Sequence, residues 1–138
     1  MFEICFVKKN ISNVTHGYID VMIMLIFFVM STTSNNLIKV CKTNELPHGQ
    51  SKCVQVNGKE IAVFNIKEKF YAIDNLCLHA GAPLSDGAID EEKCQVICGW
   101  HAWGYDLSTG KCVTHPKQDV FTGTYIVKVE NDEVFVAV

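Results

Sequence analysis

From residue 37 onward, hydrophobic positions recur in short runs with a two-residue period, as in strands that keep one wet face. TyrIleValLysValGlu at 125–130 shows the alternation most strictly. Strands are predicted at 37–40, 52–56, 59–66, 70–73, 95–97, 105–107, 125–129 and 133–138. Asn57-Gly58 and Asn131-Asp132 separate two pairs of these runs, and Asn and Gly accept the positive φ that tight hairpins need. Ser108-Thr109-Gly110 predicts a further turn. No ten-residue helical period, internal repeat or low-complexity tract is present. The pattern predicts an all-β fold, a β-sandwich or small barrel. Its one long connection, residues 75–93, exceeds what an idle turn requires.

The first 36 residues read differently. VMIMLIFFVM at 21–30 is an unbroken apolar run of ten, with Asp20 before it and SerThrThrSerAsnAsn after it. A bilayer span needs about 20 apolar residues, so this run is too short to cross. It suits the apolar region of an export signal, with Lys8 and Lys9 as the positive region, although no Ala-x-Ala cleavage site follows. A second reading starts the natural protein at Met30 and leaves residues 1–29 outside it. Residues 1–36 are therefore expected to be a leader, and residues 37–138 the folded domain. The protein is expected in the cytoplasm, with export or anchoring through residues 19–30 as the alternative.

A chain of 138 residues has room for one domain of ordinary size, which excludes a two-domain enzyme. The net charge is −3, and all 12 basic residues are Lys. Without Arg the chain lacks the fork-shaped donor for bidentate phosphate or guanine contacts, and its mild acidity repels nucleic acid. The seven Cys change the picture most. An odd number opposes a fully paired disulfide framework and points to a reducing compartment or a metal site.

Two of the seven carry a nearby histidine. Asn75-Leu-Cys77-Leu-His79-Ala-Gly-Ala-Pro83 opens the long connection, and Cys98-Gly-Trp-His101-Ala-Trp-Gly-Tyr105-Asp106 follows it. Thiolate and neutral imidazole bind soft and borderline metals, and two loops with one of each make a four-ligand site. Tetrahedral zinc is chemically open to such a set. Zinc fingers, however, group their cysteines together and their histidines together, whereas each loop here donates a mixed pair. A two-iron cluster with both thiolates on one iron and both imidazoles on the other would be locked from two sides by such loops.

Cys-x-His, 18 residues, then Cys-x-x-His resembles the signature of the Rieske 2Fe-2S family. The likeness covers residues 37–138 and extends to Gly81, Pro83, the 101–106 run, Thr109-Gly110 and Pro116. It implies a Rieske-like sandwich with an inserted cluster-binding loop subdomain, and one 2Fe-2S cluster per chain. Cys77 and Cys98 would hold one iron; His79 and His101 would hold the outer one and form the exit for an electron. The loop around Pro116 would be the third loop, which covers the cluster. Two imidazoles in place of thiolates make reduction easier than in an all-Cys ferredoxin.

Departures from the pattern select the subclass. Quinol-oxidising members place a disulfide at positions that are Ala82 and Trp100 here, and a Ser donor to a bridging sulfur where Trp103 stands. Losing that hydroxyl places the potential towards the low end of the Rieske range. Tyr105 occupies its usual place, while Gly99 and Ala102 stand where Pro and Gly are common. The resemblance is therefore to the soluble ferredoxins that serve ring-hydroxylating dioxygenases. It implies a one-electron carrier between a flavin- or NADH-dependent reductase and a terminal oxygenase or reductase. The small subunit of an NADH-dependent nitrite reductase is one alternative, and a structural zinc-binding module is another. No catalysis of its own is expected, since residues 117–138 contain no His for a second iron site. Cys41, Cys53, Cys94 and Cys112 are expected to pack as small hydrophobes. His115, next to Pro116, reads as a loop residue, with a place near the cluster as the alternative; His16 and His48 have no evident partner; and Asp86, Asp90, Glu91 and Glu92 read as a solvated loop, with docking of a basic reductase as the alternative. Trp100 and Trp103 would either shield the cluster or fill the core.

Overall fold

The computed structural model describes residues 36–138. The apolar run, the alternative start at Met30, Cys5 and His16 lie outside the described residues. Within them ten strands form three antiparallel sheets. The first joins β1 (Leu37–Lys42), β10 (Glu133–Ala137) and β9 (Val127–Glu130) in that order. The second runs β2 (Ser51–Val56), β3 (Lys59–Ile66), β4 (Lys69–Asp74) and β8 (Thr124–Tyr125). The third is small, with β5 (Ala88–Asp90), β6 (Gln95–Ile97) and β7 (Gly104–Asp106).

Three two-residue turns set the register. Asn57-Gly58, Lys67-Glu68 and Asn131-Asp132 all have positive φ at both positions, the geometry that matches the twist of paired strands. Lys and Glu are poor residues for that geometry, and partners outside the turn support them. The Lys67 N–H donates to His48 Nδ1 at 2.7 Å, and the Glu68 N–H to Asn65 Oδ1 at 3.0 Å. His48 thus has partners after all, since its Nε2 also lies 3.0 Å from the Glu91 carboxylate.

Strand β3 lies between two cores. Ala62, Phe64 and Ile66 face the small sheet with Val96, Tyr105 and Leu107, while Ile61 and Val63 face Leu46, Val134 and Val136. All six residues from 61 to 66 are buried, so the expected wet face is absent from this strand. Each large side chain so buried contributes about 1.5–3 kcal/mol.

Two other departures have local causes. The strand expected at 125–129 is split at Ile126, which is 68% exposed; Thr124–Tyr125 pairs with β4 and Val127–Glu130 with β10. Alternation marks a strand without saying which sheet it joins. The long connection also contains a 3-10 turn, Leu84–Asp86, and the short strand β5. Three half-polar residues give no periodic signal. Among the described residues no helix is long and apolar enough to cross a membrane.

At the end of β7, Asp106 Oδ1 accepts hydrogen bonds from the backbone N–H and hydroxyl of both Ser108 and Thr109. Burial works against its charge, but these donors outweigh it and hold the carboxyl below its ordinary value. A depressed folded-state pKa stabilises the fold above the unfolded value of about 3.9, and the contribution is lost as pH falls through the folded value. Asp106→Asn is therefore expected to lower the urea midpoint near neutral pH, with the gap from the parent closing below about pH 4.

Candidate metal centre

Two loops leave the small sheet's end of the fold, and their backbones close in the same way. In the first, the Cys77 N–H donates to the Ala82 carbonyl at 2.8 Å and the Gly81 N–H to the Cys77 carbonyl at 2.8 Å. In the second, the Cys98 N–H donates to the Trp103 carbonyl at 2.8 Å and the Ala102 N–H to the Cys98 carbonyl at 3.0 Å. Each cysteine is thus tied to the residues four and five positions on. The residue at the fourth position is left-handed in both, with φ of 71° at Gly81 and 59° at Ala102. The second loop links β6 to β7, and the first precedes the Leu84 turn.

This closure sorts the side chains. Cys77 and Cys98 are buried, whereas His79 and His101 are exposed. The two imidazoles meet edge to face with ring centroids 4.3 Å apart. Burial pushes the Cys77 thiol up, but hydrogen bonds from the Tyr105 hydroxyl, the His79 and Ala80 N–H groups and the Cys98 thiol outweigh it and hold the thiol below its usual value. Tyr105 is itself wholly buried; its Oη lies 3.4 Å from Cys77 Sγ and accepts the Leu78 N–H at 3.0 Å. A sulfur surrounded by donors is suited to carry charge as a metal thiolate.

The donors come as two pairs, thiols inside and imidazoles outside. Among the described residues no three or more His, Cys, Asp or Glu gather around a single-ion position. In a Rieske 2Fe-2S cluster one iron takes two cysteines and the other two histidines, so paired donors fit that group. The six cysteines described are all free. Of the two positions that replace the disulfide of the quinol-oxidising members, Ala82 is buried and Trp100 is 64% exposed.

The structure also places residues that the sequence left undecided. Trp103 packs against His79 with centroids 4.8 Å apart, and His115 packs on Trp103 at 5.1 Å. Trp100, 64% exposed, does not fill the core. Cys41 and Cys112 are buried as expected, and Cys94 is half-buried beside Tyr71. Cys53 corrects the packing expectation, since it is exposed on β2, the edge strand of its sheet. Asp90 and Glu91 are partly buried, with Lys93 and His48 as their respective partners.

Residues 36–131 match the Rieske [2Fe-2S] domain. The chain belongs to the Rieske family. Its relatives include the ferredoxin component of the naphthalene 1,2-dioxygenase/salicylate 5-hydroxylase systems of Ralstonia sp., 37% identical over 102 residues, covering 73% of this chain and 94% of that one. The 3-phenylpropionate/cinnamic acid dioxygenase ferredoxin subunit of Escherichia coli K12 is 35% identical, covering 73% of this chain and 92% of the relative. Among solved structures, the ferredoxin of carbazole 1,9a-dioxygenase from Nocardioides aromaticivorans IC177 superposes with a TM-score of 0.69 at 31% identity, covering 73% of this chain and 96% of that one. A ferredoxin solved in complex with its oxygenase, also of carbazole 1,9a-dioxygenase, has a TM-score of 0.67 at 30% identity, covering 75% and 94%. The Rieske cofactor is a 2Fe-2S cluster, and the protein is an electron carrier that uses it.

Within this Rieske domain Ala102 is one of the strained positions, and the one that lies in a cysteine loop. A left-handed L-residue costs roughly 1–2 kcal/mol, whereas glycine adopts the same φ freely, as Gly81 does in the twin loop. Ala102→Gly is expected to raise thermal stability by about 1 kcal/mol, less the added chain entropy. Differential scanning calorimetry of both proteins at equal iron content checks it.

Proposed function

We propose that Cys77 and Cys98 hold the inner iron, that His79 and His101 hold the outer iron, and that the carrier passes single electrons from a flavin- or NADH-dependent reductase to a terminal oxygenase. The observation that carries the assignment is the twin closure of the two loops, which brings two buried thiols and two touching exposed imidazoles to one end of the fold. When bound, the cluster stores one electron per chain. The protein's own residues do the rest. The Tyr105 hydroxyl and the His79 and Ala80 N–H groups offset negative charge on sulfur. The exposed rings of His79 and His101 bring the outer end of the site to the surface.

Leu78 and Trp100, each next in sequence to one of those histidines, and Val113, which is hydrogen-bonded to Gly104, are 50%, 64% and 40% exposed. Large apolar side chains at that exposure exclude water only when another surface covers them. The relatives named are dioxygenase ferredoxins, and one neighbour was solved with its oxygenase, which supports an oxygenase as the covering partner. The free exposed Cys53 supports a reducing compartment, hence the cytoplasm. The carrier is assigned to residues 37–138, with residues 1–36 as a leader. Trp103 in place of a hydroxyl donor supports a potential low in the Rieske range.

Dithionite-reduced, anaerobically purified protein is expected to show a Rieske-type electron paramagnetic resonance spectrum with two irons and two sulfides per chain. Cys98→Ser or His101→Ala should remove that signal. A colourless parent holding one zinc would overturn the assignment. In a reconstituted oxygenase assay, Trp100→Ala is expected to raise the KM for the carrier about tenfold, equivalent to ~1.4 kcal/mol of a central aromatic contact, with the midpoint potential unchanged.

A further inference from the structure

A histidine that binds a metal is ordinarily oriented by a hydrogen bond to its free ring nitrogen. At His79 the protein supplies rings instead. His101 meets it edge to face at 4.3 Å, and Trp103 lies against it at 4.8 Å with the planes only 30° apart. His115 then meets Trp103 at 5.1 Å and 70°, so four rings run from the paired imidazoles to the third loop. These separations are those of favourable aromatic packing, and each such pair adds to the burial of its rings.

The far end of this row is fixed in its turn. The Lys117 N–H donates to His115 Nδ1 at 3.0 Å, which fixes the ring's orientation. The loop bearing His115 is clamped beside Trp103. The Val113 N–H donates to the Gly104 carbonyl at 2.8 Å, and the Gly104 N–H donates to Thr114 Oγ1 at 3.0 Å. A Cβ at Gly104 would lie 3.0 Å from Val113 Cγ2, close enough that the valine would have to give by a few tenths of an ångström. The row is also one-sided. His79 is packed by Trp103, whereas the aromatic neighbour of His101 among the described residues is His79.

We propose that Trp103 and His115 are positioning residues that brace the ring of His79, and that the brace makes its orientation depend on the third loop, residues 113–120. The inference rests on His79 being a cluster ligand. It assigns unequal constraint to two ligands that the motif alone treats alike. A hydrophobic shield would need only apolar bulk at 103; a brace needs a flat ring there and a second ring at 115. Trp103→Leu separates the two, because it keeps apolar volume and removes the plane.

The test uses the full chain with its cluster, reading iron and sulfide content, midpoint potential and the nitrogen hyperfine couplings of the two histidines by pulsed electron paramagnetic resonance. His115→Ala is a partly exposed substitution and is expected to keep the parent's iron and sulfide. One of the two histidine couplings should shift while the other holds, and the midpoint potential should move from that of the parent. His115→Phe restores the ring and should return both readings. Trp103→Leu should shift the same coupling, and Trp103→Phe should shift it less. Unchanged couplings and potential in both His115→Ala and Trp103→Leu would overturn the brace while leaving the ligand assignment standing. A parent with no Rieske-type spectrum would overturn both together.

Discussion

Everything at the working end of this protein depends on how two cysteines are tied down by their own backbones. A buried thiol that is to serve a metal must be held ready, close to its twin and yet unbonded to it. Cys77 and Cys98 meet that requirement because each donates to a carbonyl five residues on and accepts from an N–H four residues on. The loop so closed turns its third or fourth residue outward, which is why histidine at either Cys-x-His or Cys-x-x-His spacing reaches the same surface. One extra residue before the second histidine is absorbed without altering the closure.

Those loops could not hold their shape on a mobile base. Their support is the small sheet of β5, β6 and β7, which packs on β3 through Val96 and Tyr105, with Leu107 just beyond β7 in the same core. Strand β3 in turn is buried on both sides, so the site's base is continuous with the second core on its other side. Tyr105 connects the levels: its backbone belongs to β7, its ring lies in the core, and its hydroxyl reaches Cys77 Sγ and the Leu78 N–H in the first loop. One side chain thereby joins the second loop's strand to the first loop's sulfur. The hydroxyl also remains a donor to sulfur in a site where Trp103 offers none.

What could be read from the sequence was local. The four donors stand within two short segments, and Asn57-Gly58 and Asn131-Asp132 announce their turns because the residues themselves favour positive φ. The Lys67-Glu68 turn was not readable, since its support comes from His48, about nineteen residues away, and from the buried Asn65 side chain. The switch of sheets at Ile126 and the exposure of Cys53 were hidden for a related reason. Period-two alternation identifies faces but does not reveal what covers them. The packing of His115 on Trp103 joins two loops through a contact with no spacing rule, so a motif could place both residues near the site without showing that they touch.

The surface at the imidazoles then follows from what a carrier must do twice. On the proposed assignment it must bury its sulfurs, so that the charge on them is held by fixed donors and not by water, and leave its outer ligands within reach of a partner. The depth ordering achieves both: buried thiols, a wholly buried tyrosine beside them, half-buried Trp103, then exposed His79, His101 and Trp100. Leaving a tryptophan 64% exposed forgoes burial that would otherwise favour folding, and core burial of such a side chain ranks among the larger single contributions. A fold with ample apolar residues had no need to place one there for stability. The exposure is explained if its burial is deferred to a complex, where an apolar contact releases water around the histidines and is undone readily enough for the carrier to leave and be reduced again.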